Sequence, residues 1–115
     1  MDSRVRNILE HMLDNALDII KFTDEIENAD AFAENRLYRK AIVMSILNIG
    51  DLAKSLPHEF KSEHNVIPWK KIAGMRDIAA HGYHMMDDDI IWDVAINSIP
   101  ELACFIKTRL NEDTK

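Results

Sequence analysis

The sequence predicts an all-α fold, an up-and-down bundle of four to five helices, on three observations. Only three glycines and three prolines punctuate 115 residues, and that scarcity suits helices better than many short strands. Apolar residues recur at steps of three and four near both ends of the chain, the spacing of one helical face. Between them, residues 41–49 are apolar on nearly every side, which marks a helix that is central or faces a second chain.

The first stripe is Val5, Ile8, Leu9, Met12, Leu13, Ala16, Leu17 and Ile20, one face of a helix of about five turns. The acidic segment 23–35 carries Asn28 and Asp30, good turn or N-cap residues, and reads as a connection with one short helical turn. A second long helix runs from Asn35 to about Ser55. Gly50 inside it costs about 1 kcal/mol relative to alanine, and its expected benefit is the close approach of another backbone. Pro57 suits the first turn of a short helix over 58–64. Pro68 opens another helix, which Gly82 closes in the left-handed conformation. Asp87, Asp88 and Asp89 place negative charge where a helix starts. A last helix turns Ile91, Val94, Ala95, Ile99, Leu102, Phe105 and Ile106 inward, with Cys104 read as core. Pro100 should kink or split it, and the tail 111–115 is expected to fray.

Composition narrows the function. Residues 1–115 fit a single domain, and a chain this short buries only about two-thirds of its unfolded surface. An active site is therefore expected in a surface groove or between subunits. The net charge of −6 argues against a general nucleic-acid binder, whose affinity comes from cations neutralising phosphates. One cysteine cannot form an internal disulfide. No apolar run approaches a membrane span, and the N-terminus lacks the apolar stretch of a signal peptide, so a cytoplasmic location is the default expectation.

The most informative stretch is 68–83, PWKKIAGMRDIAAHGY. Arg76 and His81 are five residues apart, about 140° around an ideal helix, so mid-helix they would not share a face. If Gly82 ends the helix, the last turn can swing His81 toward the side of Arg76, with Tyr83 just beyond. An arginine fork holds two phosphate oxygens, and a histidine gives or takes a proton near neutral pH. RNA carries its own nucleophile, the 2′-hydroxyl, so a proton shuttle and a cation for the developing charge are nearly sufficient.

The Arg76-x4-His81-x-Tyr83 arrangement resembles the motif of HEPN-domain toxins of the HepT type, the toxin half of bacterial toxin–antitoxin pairs. The flanking text at 67–83, the segment NIGDLAKSLP at 48–57 and IPEL at 99–102 resemble that family too. The resemblance implies a helical bundle that forms a homodimer, joining two copies of the motif in one composite cleft. It implies metal-independent cleavage of RNA that leaves a 2′,3′-cyclic phosphate and a 5′-hydroxyl, with no cofactor. Arg76 would stabilise the phosphate and His81 would transfer protons. Tyr83 matches the tyrosine that a partner nucleotidyltransferase antitoxin of the MNT type modifies with AMP, adding bulk and negative charge beside Arg76. Asp77, where many relatives have a neutral polar residue, could compete with phosphate for the guanidinium. Asp51 stands where relatives often carry glutamate.

Lys70, Lys71, His84 and Trp69 are the candidate RNA contacts, and His58, His64, His81 and His84 add local basic character. Trp69 and Trp92 also read as structural anchors, and Met75, Met85 and Met86 as packing or interface residues. Arg76 and His81 have a bland reading as cations at a helix C-terminus, and Tyr83 as a half-buried packing residue. A metal site at His81, His84 and Asp87 has no assured geometry. Two rival functions share the fold. One is a non-catalytic module that binds a partner nucleotidyltransferase or a nucleotide. The other is a chain that is chiefly the nucleotidyltransferase's substrate.

Overall fold

Asp2 opens the first helix by accepting hydrogen bonds from the backbone N–H groups of Arg4 and Val5 at 2.7 and 3.4 Å. That helix, α1 (Ser3–Asp24), buries Val5, Ile8, Leu9, Met12, Ala16 and Ile19. Leu17, expected inside, is 39% exposed, because it lies about 100° round the axis from Ala16. The computed structural model describes residues 1–82 and 86–113, without the side chains of Ile78, Ala79 and His81.

Asn28 caps α2 (Ala29–Glu34) through the N–H of Ala31. This element is more than a connection, since Phe32 is fully buried and its ring centroid lies 5.4 Å from that of Trp92. Asn35 caps α3 (Arg36–Ser55) through the N–H of Tyr38. Ile42, Val43, Ile46, Ile49, Gly50 and Ala53 are buried along α3, while Leu37 (77%) and Met44 (57%) are exposed. The helix is central, with one face open.

Helix α3 runs antiparallel to α1. Asn48 donates to Asn15 at 3.2 Å, and Tyr38 donates to Glu25 at the other end of the pair. After α4 (His58–Glu63), which Pro57 precedes as expected, the chain returns as α5 (Trp69–Gly82). Gly50 faces Ile72 and Arg76, and Arg39 donates to the Met86 carbonyl at 3.2 Å. Rising numbers on one helix meet falling numbers on the other, so α5 is antiparallel to α3. The left-handed closure expected of Gly82 is not found: Gly82 is the last residue of α5, and no glycine among those described has a positive φ.

Asp87 caps α6 (Asp88–Asp93) by accepting from the N–H of Asp89 at 2.8 Å, and Asp88 pairs with Arg39. Pro100 splits the last rod as expected. Residues Val94–Ser98 form a π-helical segment, and α7 covers Ile99–Asp113. Proline has no N–H and its ring crowds the carbonyl four residues back. The wider turn accommodates this, with the Ile99 N–H reaching the Val94 carbonyl five residues earlier.

Two expectations for α7 need correction. Cys104 is exposed, since Leu102, Ala103 and Ile106 take the buried face. The tail does not fray at 111–113. Helix α7 continues to Asp113, which accepts from Arg6 at 2.7 Å and pairs with the Met1 amine at 3.1 Å. Thr114 and Lys115 lie outside the described residues. The buried apolar side chains of α1, α2, α3, α5, α6 and α7 form one core. No helix among the described residues is long and apolar enough to cross a membrane.

Candidate active site

Gly50 positions the site. A Cβ there would stand 2.5 Å from the Cβ of Arg76 and 3.1 Å from the Ile72 carbonyl oxygen. Only a hydrogen in place of the side chain lets α5 lie this close to α3, and the contact fixes the root of Arg76.

The Arg76 side chain, 35% exposed, emerges along the edge between the two helices. Its Nε is 2.8 Å from Asp51 Oδ1, an ion pair that lies off the hydrogen-bonding direction of the N–H. Asp51 thus has the polar role that the sequence left open. On the other side, Asp77 Oδ1 is 3.5 Å from Arg76 Nη1 but 2.7 Å from Lys54 Nζ. Asp77 therefore does reach the guanidinium, as expected of a competitor for phosphate, yet its shorter bond goes to lysine. The Lys54 ammonium, with a smaller contribution from Arg76, holds the Asp77 carboxyl below its ordinary pKa.

The described cluster carries two positive and two negative side chains, so it is close to neutral. Any anion that reached Arg76 would compete with these carboxylates. Lys54 was missed at the sequence level, although Gly50, Asp51 and Lys54 share one stretch of α3, with Lys54 three residues after Asp51 on the same side of the helix.

The other expected site residues are more scattered. Lys70 and Lys71 are exposed, but on a helix their positions lie about 120° and 140° round the axis from Arg76. Trp69 does not border a cleft where a base could stack. It is 7% exposed, and its indole N–H donates to the His64 carbonyl at 3.0 Å. It serves as an anchor, with ring centroids 6.1 Å from Phe60 and 5.9 Å from Phe105.

The His64 ring packs with its centroid 4.6 Å from that of Phe60 and 5.3 Å from that of Phe105. His58 is exposed, with Nε2 3.3 Å from Ser62 Oγ. Met75 is buried and Met86 packs against the core. Tyr83, His84, Met85 and the His81 side chain lie outside the described residues.

The expected swing of the last turn is not found, because α5 stays α-helical through Gly82. Positions 76 and 81 of one chain are therefore about 140° apart around the axis and about 7.5 Å apart along it. A groove of about 840 Å³ between α5 and α6 is lined by Lys71, Gly74, Met75, Met86, Asp89 and Ile90, among others. Its apolar floor and aspartates do not suit a polyanion. Among the described residues, no three His, Cys, Asp or Glu side chains gather in a way that could hold a metal ion.

Comparison with known proteins places these residues in context. A Methanocaldococcus jannaschii protein provisionally named an RNase is 38% identical over 113 residues, 95% of this chain and 93% of its own. A provisionally named RNase from Caldanaerobacter subterraneus subsp. tengcongensis is 37% identical over 108 residues, covering 94% of this chain and 96% of its own. A protein of Thermococcus cleftensis provisionally named ribonuclease HepT is 33% identical over 88 residues, 76% of this chain and 79% of its own. No solved structure gives a significant match. The sequence pattern of ribonuclease HepT-like proteins matches residues 12–109, a span that includes both α3 and α5 and the whole Arg76–Tyr83 motif. The chain belongs to the ribonuclease HepT-like family.

Proposed function

We propose that this chain is a metal-independent endoribonuclease, the toxin of a toxin–antitoxin pair, acting as a homodimer in which two copies of the motif share one cleft. The observation that carries the reading is Arg76, seated by Gly50 at a half-exposed edge within a segment matched to a ribonuclease family. In this reading the RNA 2′-hydroxyl attacks the adjacent phosphorus as His81 takes or relays its proton. The bond from phosphorus to the 5′-oxygen breaks, and that oxygen leaves with a proton. The products are a 2′,3′-cyclic phosphate and a 5′-hydroxyl. Arg76 stabilises the charge that develops on the phosphoryl oxygens.

A second copy of the chain resolves two features. Positions 76 and 81 fall on different sides of one helix, so an arginine of one chain and a histidine of its partner meet more readily across an interface. Leu37, Met44 and Asp51 are spaced by seven residues, which keeps them on one face of α3 to within about 20° per step. That face offers exposed apolar side chains beside the Arg76 edge. Tyr83, two residues beyond His81, is the site where a nucleotidyltransferase antitoxin of the MNT type would attach AMP and close the cleft by charge and bulk.

Purified protein should cleave RNA in the presence of EDTA. Arg76→Ala and His81→Ala should each lower the rate about a hundredfold or more while leaving the helical circular-dichroism signal intact. If both variants cleave as wild type does, the assignment is wrong. A protein that cleaves no RNA at any salt concentration yet co-purifies with a nucleotidyltransferase would be an interaction module instead. Mass spectrometry after co-expression with that enzyme should find AMP on Tyr83.

A further inference from the structure

Two carboxylates lie against Arg76, and among the described residues only one of them has a second cation. Asp77 Oδ1 lies 2.7 Å from Lys54 Nζ and 3.5 Å from Arg76 Nη1, whereas Asp51 makes its 2.8 Å ion pair with Arg76 itself. We propose that Lys54 is a positioning residue for the ribonuclease site, one that draws the Asp77 carboxylate off Arg76 and keeps the outer edge of the guanidinium open to an RNA phosphate.

The inference rests on the ribonuclease reading of Arg76. Lys54 is on α3 and Asp77 is on α5, so this bond also ties the two helices just beyond the Gly50 contact. Asp51 takes the Nε side of Arg76 and steadies the side chain. With Asp77 turned to Lys54, the Nη edge that would grip a phosphate has the longer and weaker of the two contacts. Without Lys54, the nearest cation to Asp77 among the described side chains is Arg76, and the guanidinium would be clamped by carboxylates on both sides. The depressed pKa of Asp77, owed first to Lys54, agrees with this division.

The test is a double-mutant cycle read by binding of a random-sequence 2′-O-methyl RNA oligonucleotide, which lacks the attacking hydroxyl and so stays intact on the wild-type protein. Lys54→Met should weaken binding about three- to fivefold, the scale of an exposed ion pair, and should lower kcat/KM for unmodified RNA in parallel. Lys54→Arg should restore wild-type affinity, since it keeps a cation for Asp77. Asp77→Asn should bind RNA more tightly than wild type, and adding Lys54→Met to it should change nothing further.

If Lys54→Met weakens binding as much in the Asp77→Asn background as alone, Lys54 contacts phosphate directly and the proposal is overturned. Wild-type affinity in Lys54→Met overturns it too. Arg76→Ala serves as the reference. If that variant binds and cleaves normally, the ribonuclease reading itself fails. If it is impaired while the cycle is additive, only the role of Lys54 is lost.

Discussion

Arg76 emerges as a cation with its charge already answered, held by Asp51 and approached by Asp77. Its candidacy was legible in the sequence, because arginine and histidine are residue types that suit phosphate chemistry and the flanking text resembles a ribonuclease family. Its surroundings were not, since Asp51 and Lys54 lie more than twenty residues away and meet it only through the packing of α3 on α5. Of the two readings that the sequence left for Trp69, the structure shows the anchor, since the His64 carbonyl and the rings of Phe60 and Phe105 enclose it. Asp77 yields a prediction with a definite sign. A carboxyl with a depressed folded pKa stabilises the fold above its unfolded value near 4, and loses that contribution as pH falls through the folded value. The melting temperature of Asp77→Asn should therefore lie below wild type from pH 5 to 7, and the gap should close on acidification below the carboxylate range. A gap that widens in acid would contradict the Lys54 and Arg76 pairings.

Helix boundaries were read well wherever a local capping residue set them. Asn28, Asn35 and Asp87 each accept a backbone hydrogen bond at a helix start, and such caps declare themselves in the sequence. Pro100 likewise declared its break, though not the π-helical form that the break takes. Burial on short elements was less visible. Periodicity needs several turns to emerge, and α2 has only six residues, so nothing marked Phe32 as a core side chain. Phe32→Ala should cost about 3–5 kcal/mol in urea unfolding, because the ring is fully buried against Trp92; a loss near zero would show that α2 is not docked. Gly50→Ala is the corresponding test of the α3–α5 contact. Helix propensity favours alanine by about 1 kcal/mol, whereas a Cβ 2.5 Å from that of Arg76 forces the helices apart at about 1–3 kcal/mol. The variant should be no more stable than wild type, and RNA cleavage should fall because Arg76 has moved. A clear gain in stability with full activity would refute the close approach.

At the scale of the whole molecule, the net charge of −6 and the neutral cluster around Arg76 agree: this is not a protein that gathers RNA by bulk electrostatics. Binding should be modest, and with few phosphates neutralised it should depend only shallowly on salt. The bundle was legible because long stripes on α1, α3 and α7 demand a shared core. The site was only half legible, because one chain places positions 76 and 81 on different sides of α5, and the proposed reading needs a second copy to bring an arginine and a histidine together. The central claim is that an arginine of one copy and a histidine of the other act on the same phosphodiester. The most direct measurement co-expresses Arg76→Ala and His81→Ala chains carrying different tags, isolates the mixed dimer and assays it on RNA beside each parent. The account predicts that both parents are inactive and that the mixed dimer regains cleavage. A mixed dimer as inactive as its parents, or doubly tagged selection that recovers only monomers, would contradict it.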